Sequence, residues 1–317
     1  MNRVIGTVNG SEKGALVLVL GAVHGNEIAG YDAIREVLDL LNHALHDSAL
    51  SKFHGKFIGL IGNRAALSAG KRFVDCDMNR LWTREHIAML QQPSNTQFNA
   101  EEVELLDLYK FILHEIQDYK PEALIVLDLH TTSAEGGVFC IPAHTQQSLR
   151  LAKHLHAPVI LGLLDGIEGT LLHFIQDKQF HVNGYPEHQI GVAFEGGQHD
   201  EPASKSRCIA AIFNCLRSAG CIPEDAFLGK HDQILTDHSA SLPKVTELVY
   251  VHHIQPADAF KMRPGYFNFK SIAQNEHLAD DKNGPIHASS AGRILMPLYQ
   301  TQGTDGFFIV KDLESEN

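Results

Sequence analysis

Three side chains that commonly bind transition metals are spaced so that they could converge on one cation. His24 and Glu27 stand three residues apart in the segment GAVHGNE (21–27), and His130 follows more than a hundred residues later. Two histidines and one carboxylate leave a fourth position open for water, which is the pattern of catalytic rather than structural zinc. Cobalt, nickel or manganese could occupy the same donors. The competing interpretation is a chance His-x-x-Glu pattern, in which His24 caps a helix or fills a gap.

Two further carboxylates belong to the same chemistry. Glu195 precedes Gly196 and Gly197, and a carboxylate beside water activated by a metal can take a proton and return it to a leaving amine. Its alternative is a surface glutamate in a glycine-rich turn. Asp128 stands two residues before His130, where it could orient that ligand from behind or be buried for structural reasons.

The segment RFVDCDMNR (72–80) concentrates cationic and amide groups in an acidic chain. Arg72, Asn79 and Arg80 fit a receptor for a substrate carboxylate, because arginine presents a planar fork to both oxygens. An arginine can also polarise a carbonyl and stabilise the oxyanion that forms. Asp75 and Asp77 are predicted to pair with these arginines and hold the loop.

Alternating apolar and helical stretches must position these residues. The alternation predicts an α/β fold, a mixed and largely parallel sheet flanked by helices. Ligands of such sheets collect beyond the carboxyl ends of the strands, where these motifs stand. The predicted strands are 15–21, 57–62, 123–129, 137–141, 159–163 and 190–194, and the predicted helices are 27–41, 99–117, 146–156 and 204–218.

After about Cys221 the sequence pattern changes. Short apolar runs follow one another, separated by Pro and Gly, and no long helical pattern occurs. The sequence predicts a catalytic α/β domain over 1–227 and a small all-β domain over 228–317 that packs on it and caps the site. Its predicted strands are 246–254, 260–269, 292–297 and 306–310.

Composition restricts the partners and the compartment. With 26 Lys and Arg against 38 Asp and Glu, the net charge of −12 disfavours binding to nucleic acid or anionic lipid. The five cysteines show no pairing pattern, the N-terminus has no basic-then-apolar leader, and no apolar run is long enough to span a bilayer, so we expect a cytoplasmic protein. A homo-oligomer stays open.

Four motifs in one order resemble the succinylglutamate desuccinylase and aspartoacylase family, which is related to the zinc carboxypeptidases. They are GAVHGNE (21–27), RFVDCDMNR (72–80), DLHTT (128–132) and FEGGQ (194–198). The resemblance covers roughly residues 15 to 200. It implies a carboxypeptidase-like zinc domain followed by a β domain that narrows the active-site mouth, and hydrolysis of the amide of a small-molecule N-acyl amino acid.

The resemblance also implies a role for each motif residue. One Zn²⁺ per subunit would be bound by His24, Glu27 and His130, with Glu195 as the catalytic acid/base. Arg72 is similar to the arginine that polarises the carbonyl, while Asn79 and Arg80 match the pair that binds the α-carboxylate. In the C-terminal segment MPLY (296–299), Tyr299 is similar to a substrate-contacting tyrosine.

The chain departs from the family at one position. Aspartoacylase proper has an arginine ten residues before its catalytic glutamate that binds the substrate's side-chain carboxylate, and Tyr185 stands there instead. No arginine lies between Arg150 and Glu195, which argues against a strict aspartoacylase. The residues that could replace this arginine are Lys178, His173, His181 and His188.

Two other classes of function stay open. A metallocarboxypeptidase acting on peptides would need an open groove, and the predicted C-terminal domain argues against it. A non-catalytic zinc-containing binding protein would have no need of Glu195 as an acid/base.

Overall fold

The computed structural model describes residues 1–92, 97–180, 182–228 and 230–313. The described strands are β1 (Val4–Asn9), β2 (Glu12–Gly21), β3 (His54–Ile61), β4 (Ala123–Thr132), β5 (Phe139–Pro142), β6 (Val159–Leu161), β7 (His188–Gln198), β8 (Val245–His253), β9 (Lys261–Met262), β10 (Ser271–Ile272), β11 (His277–Asp281), β12 (Gly284–His287), β13 (Gly292–Leu295) and β14 (Asp305–Asp312). The described α-helices are α1 (Ile28–His46), α2 (Arg64–Ala69), α3 (Arg84–Leu90), α4 (Ala100–Tyr119), α5 (Gln146–His154), α6 (Leu171–Gln176), α7 (Pro202–Ser218) and α8 (Lys230–Ser239), with short 3-10 helices at Met78–Arg80, Leu163–Gly166, Lys178–Phe180 and Pro256–Asp258.

Eleven of the described strands form one twisted sheet in the order β1-β3-β2-β4-β7-β5-β6-β8-β14-β13-β10. The strands β3, β2, β4 and β7 run parallel, as do β5, β6 and β8, whereas β5 runs antiparallel to β7. The predicted mixed, largely parallel sheet is therefore confirmed. The smaller antiparallel sheet, in the order β12-β11-β9, lies in the C-terminal part.

Both faces of the central strands are covered by helices, which explains their continuous apolar sequence. Along β2, Val17 and Val19 pack in the core that includes α1 and α7. The alternate residues Leu16, Leu18 and Leu20 pack in the core that includes α4. None of the described helices is long and apolar enough to cross a membrane.

The six predicted strands of the first part all occur, although most extend further. His130 and Glu195 consequently lie within β4 and β7, where the two residues pair across neighbouring strands. The predicted helices are found as α1, α4, α5 and α7. The edge strand β1 was not predicted, because its six-residue sequence VIGTVN is short and its apolar residues are interrupted by Gly6 and Thr7.

The C-terminal part is more mixed than the prediction of an all-β domain. It contains the ten-residue helix α8. Leu235 of this helix is buried in the core that also includes α1 and α7. Over 260–269 only the two residues of β9 form a strand. The strands β8, β14, β13 and β10 continue the central sheet, while the division near residue 228 stays a prediction.

Candidate active site

The three predicted metal ligands meet at the carboxyl ends of β2 and β4. His24, Glu27 and His130 are all buried, and one donor atom from each lies within 4.8 Å of the others. Glu27 occupies the N-cap position of α1, yet its side chain makes no capping hydrogen bond. The His24 Nδ1 and Glu27 Oε1 atoms are 2.9 Å apart, and His130 Nδ1 is 3.0 Å from Glu27 Oε2.

The loop that carries His24 and Glu27 requires a glycine between them. A Cβ atom at Gly25 would lie 2.0 Å from the backbone carbonyl carbon of Ala66 in α2. Any larger residue would push this loop off α2 and displace both side chains. The motif spacing therefore reflects close backbone packing as well as chemistry.

A second carboxylate lies behind each histidine. The Nε2 of His24 is 3.1 Å from Asp77 Oδ1, and the Nε2 of His130 is 2.9 Å from Asp128 Oδ2. Such contacts fix the orientation of an imidazole and raise its basicity toward a cation. Asp128 reaches His130 because alternation along β4 places both side chains on the same face of the sheet.

The charge distribution fits a divalent cation. Burial opposes the ionisation of Glu27, yet the charge of His24 and hydrogen bonds from both histidines hold the pKa of this carboxyl well below its ordinary value. Burial would lower the pKa of His130, but Asp128 and Glu27 raise it well above the usual range. The His24 Nδ1 atom is buried, and the Glu27 carboxylate is the anionic group beside it. Anionic groups that hold a proton at this point would also hold a zinc ion.

Glu195 lies beside this cluster and not at the surface. It is only 7% exposed, and its Oε2 atom has no hydrogen-bond partner among the described residues. Burial raises the pKa of Glu195 to about 7, more strongly than the nearby cations His130, His24 and Arg72 lower it. A buried carboxyl that changes its protonation near neutral pH is suited to taking up and returning a proton.

Arg72 contacts two carboxylates of the cluster and its surroundings. Its Nη1 donates to Glu27 Oε1 and its Nη2 donates to Asp77 Oδ2, each over 3.1 Å. The Nε–H is buried without a partner in the described chain, which leaves one donor for an incoming oxygen. Asp77 pairs with an arginine as predicted, whereas Asp75 accepts the amide of Ala100 instead.

Asn79 and Arg80 are adjacent residues that line the same cavity as the cluster. The backbone amide of Leu171 donates to Asn79 Oδ1 over 3.1 Å. The NH₂ group of Asn79 therefore points away from this amide and can donate to another partner. Arg80 donates from Nη1 to the Asn79 carbonyl over 2.9 Å and from Nη2 to Asp305 Oδ2 over 2.6 Å. His253 contacts the other oxygen of Asp305 at 2.7 Å.

The structure does not bring Tyr299 together with the other predicted site residues. Its side chain is 41% exposed, and its hydroxyl lies within hydrogen-bond distance of the backbone carbonyls of Arg263 and Tyr266. Met296, Leu298 and Gln300 line the cavity, whereas Tyr299 is not among its described lining residues.

One cavity joins all of these groups. It encloses about 850 Å³, part of it open to solvent. Polar groups line one part of it, among them the His24–Glu27–His130 cluster, Glu195 and Arg72, and a set of apolar side chains forms another part of its wall. That apolar part comprises Ile141, Leu163, Leu164, Ile167, Leu172, Ala193, Met296, Leu298 and Phe308.

Among the described residues, none of the candidates to replace the missing arginine lines this cavity. Tyr185 donates its hydroxyl to the Ile175 carbonyl, and His173 contacts the Thr170 hydroxyl at 2.8 Å. Neither Lys178 nor His188 is among the described lining residues. His181 lies outside the described residues.

Sequence reasoning missed one contact of a predicted residue and one residue altogether. Asp77 contacts His24 as well as Arg72, and its position two residues before Asn79 in the motif was the only available signal. Asp305 reaches Arg80 from 225 residues further along the chain, and no local pattern marks it.

The raised pKa of Glu195 predicts that the metal-free parent and the metal-free Glu195→Gln variant differ in stability, and that this difference depends on pH. Because the folded pKa is raised from 4.5 to about 7, folding favours the protonated carboxyl, and stability is lost as pH rises through this interval. Glu195→Gln removes that loss. At pH 8 the metal-free variant should be about 3 kcal/mol more stable to urea than the metal-free parent, with a much smaller difference at pH 5. A difference independent of pH would contradict the raised pKa.

Comparison with known proteins gives one consistent result. Residues 13–181 match the family model described as the succinylglutamate desuccinylase/aspartoacylase catalytic domain. A probable aspartoacylase of Prochlorococcus marinus (strain MIT 9313) is 28% identical over 244 residues, covering 72% of this chain and 70% of the relative. The human N-acyl-aromatic-L-amino acid amidohydrolase (carboxylate-forming) is 30% identical over 147 residues, covering 44% and 41%.

Solved structures share the fold. The succinylglutamate desuccinylase/aspartoacylase from Rhodobacter sphaeroides superposes with a TM-score of 0.64 at 16% identity, over 98% of this chain and 88% of that one. A product-bound structure of the ectoine utilization protein EutE (DoeB) from Ruegeria pomeroyi gives a TM-score of 0.62 at 16% identity, over 96% and 87%.

Proposed function

Because the chain belongs to the succinylglutamate desuccinylase/aspartoacylase family, we propose that it is a zinc-dependent hydrolase that removes the acyl group from an N-acylated amino acid. The observation that carries this proposal is the position of Glu195. A buried carboxylate with an unpartnered oxygen faces the same cavity as a two-histidine, one-carboxylate cluster.

His24, Glu27 and His130 would hold the zinc ion, with Asp77 and Asp128 orienting the two histidines. When bound, zinc supplies Lewis acidity that polarises a carbonyl and lowers the pKa of water. Glu27 contributes the anionic ligand, and its contacts with both histidines keep the three donors together before the metal arrives.

Glu195 performs the proton transfers. As a carboxylate it accepts a proton from the water that attacks the acyl carbon, and as a carboxylic acid it returns that proton to the departing amine. In the metal-free protein, burial raises the pKa of this carboxyl to about 7, which favours the uptake of a proton by Glu195. The products are a carboxylic acid and a free amino acid.

The arginines bind and polarise the substrate. The free Nε–H of Arg72 donates to the acyl oxygen as negative charge develops there, and the contacts of Arg72 with Glu27 and Asp77 hold the guanidinium in place. Asn79 and Arg80 bind the α-carboxylate, which orients the amide toward Glu195.

The test is release of free amine by the zinc-loaded protein from a panel of N-acetyl, N-formyl and N-succinyl amino acids, with a blocked dipeptide included. We expect release from at least one acyl amino acid and none from the blocked dipeptide. Cleavage of the dipeptide alone would instead identify a carboxypeptidase, and silence across the panel would reject the deacylase.

The carboxylate-binding role of Arg80 predicts a selective binding defect. Arg80→Gln should raise KM for an N-acyl amino acid by about 10- to 100-fold, because a charged hydrogen bond is lost. The corresponding N-acyl amino acid amide, which lacks the carboxylate, should be hydrolysed by parent and variant with similar KM. Arg80→Lys keeps the positive charge but not the planar guanidinium. Its KM for the N-acyl amino acid should lie between those of the parent and Arg80→Gln. Equal defects on the acid and on the amide would show that Arg80 acts structurally.

The C-terminal segment argues against a peptidase. Met296, Leu298 and Gln300 enclose the cavity on one side, and Asp305 occupies the far side of Arg80. A peptide would need space beyond its scissile residue that this wall restricts. A non-catalytic binding role leaves the unpartnered Glu195 carboxylate without a use.

We further propose a cytoplasmic location, supported by the five cysteines, all of which are unpaired. Small-molecule substrates remain the expected partners, since the net charge of −12 is unfavourable for nucleic acid. A homo-oligomer stays a prediction.

A further inference from the structure

We propose that the substrate's amino-acid side chain is large and apolar, of the leucine, methionine or phenylalanine kind, and not acidic. This inference rests on the proposed deacylase function and names its substrate class. It follows from the contrast between an apolar wall beside the α-carboxylate clamp and the lack of a free cation in the described lining.

The apolar wall is built next to the proposed α-carboxylate clamp. Asn79 accepts the amide of Leu171, and Trp82 donates its backbone amide to the Gly169 carbonyl over 3.0 Å. Gly169 lies so close to Arg80 that a Cβ atom there would be 2.3 Å from the Arg80 carbonyl oxygen. The segment 163–172 is thereby held against Asn79 and Arg80.

Four residues of that segment line the cavity with apolar side chains. They are Leu163, Leu164, Ile167 and Leu172, and Phe308 of β14 also lines the cavity. All except Ile167 are buried in the main core, so the wall is preformed. A substrate side chain branches from the carbon that bears the α-carboxylate, and it therefore meets this wall when the clamp is occupied.

Each of the two arginines in the described lining is already paired with a carboxylate of the protein. Arg72 is paired with Glu27 and Asp77, and Arg80 is paired with Asp305. Once Arg80 receives the α-carboxylate, no other lysine or arginine of the described lining can pair with a second one. A side-chain carboxylate would be buried against leucine and isoleucine without a partner, which is strongly unfavourable.

Asp305 adds to this discrimination. Its carboxylate is 8% exposed, lines the same cavity and lies 2.6 Å from Arg80 Nη2. Its other oxygen contacts His253 at 2.7 Å, and the neutral Thr304 hydroxyl donates to Oδ2 over 3.2 Å. An acidic side chain entering here would meet a fixed negative charge, whereas an apolar side chain would displace water from an apolar surface.

The first test varies the side chain at a constant acyl group. With the zinc-loaded protein, kcat/KM for N-acetyl-leucine, N-acetyl-methionine and N-acetyl-phenylalanine should exceed that for N-acetyl-aspartate and N-acetyl-glutamate by at least about 100-fold. A preference for the acidic substrates would overturn this inference while leaving the deacylase proposal intact. Similar kcat/KM values for all five substrates would also overturn it, since the wall would then not contact the side chain.

The second test changes the wall. Ile167→Arg supplies a cation at the least buried position of the wall, and we expect the leucine-over-aspartate ratio to fall by about tenfold or more. Ile167→Met is the matched uncharged control and should keep the parent's ratio. An unchanged ratio in folded Ile167→Arg protein, judged by its thermal unfolding, would contradict the assignment of this wall to the side chain.

Binding separates this inference from the proposed function. Calorimetry with zinc-loaded Glu195→Gln protein should show tighter binding of N-acetyl-leucine than of N-acetyl-aspartate, without turnover. If the parent hydrolyses nothing in the panel but the variant shows this preference, the deacylase proposal fails and the apolar subsite stands. If neither compound binds, or aspartate binds more tightly, the subsite is rejected.

Discussion

Replacing Glu195 with glutamine should lower the turnover of an N-acyl amino acid by about 10⁴-fold while leaving the zinc content unchanged. The upper end of the usual range for acid-base catalysis is expected, because the same carboxyl acts first as base and then as acid. Glutamine fits the same space but can neither take up nor return a proton. Its amide also places no charge in the buried site, so folding should not suffer.

The measurement is single-turnover hydrolysis together with metal analysis of the same preparation. Glu187→Gln is a suitable control, since this exposed carboxylate lies just before the opposite end of β7. It should behave like the parent. Loss of zinc in Glu195→Gln would instead identify Glu195 as a ligand, and retention of most of the activity would remove it from the reaction.

Replacing His130 with alanine should abolish both zinc binding and hydrolysis. Two donors would remain of three, and the buried carboxylates of Glu27 and Asp128 would lose the imidazole that lies between them. Asp128→Asn should have a milder effect, about 10- to 100-fold in zinc affinity, because the ligand itself stays in place.

Zinc titration by calorimetry, run beside activity, distinguishes these cases. His188→Ala, at an exposed position at the start of β7, serves as a histidine control and should bind one zinc ion per chain like the parent. A His130→Ala protein that still binds zinc at parental affinity would refute the three-residue site. A graded order, with Asp128→Asn between the parent and His130→Ala, is the expected result.

The sequence predicted the parts of the site that parallel strands bring together. His130 and Glu195 stand at the carboxyl ends of strands whose apolar runs are unmistakable, and the pairing of β4 with β7 makes them neighbours. The loop after β2 adds His24 and Glu27 at the same edge. Local patterns suffice here because the topology of an α/β sheet places equivalent strand ends side by side.

Contacts between distant segments were not predictable in the same way. Asp305 reaches Arg80 only because β14 joins the central sheet through β8, and nothing local to residue 305 indicates that pairing. Tyr299 was assigned by likeness to a motif, but whether a residue of an extended segment faces a cavity depends on a one-residue register. The wall at 163–172 likewise depends on close packing against Arg80.

The most direct test of the central claim is hydrolysis of one N-acyl amino acid in ¹⁸O-labelled water by the metal-free protein before and after one equivalent of zinc is added. The account predicts no reaction before addition. After it, free amino acid and carboxylic acid should form in equal amounts, with one labelled oxygen in the acid and none in the amino acid. Equal activity with and without zinc, or label in the amino acid, would contradict a zinc-dependent deacylase.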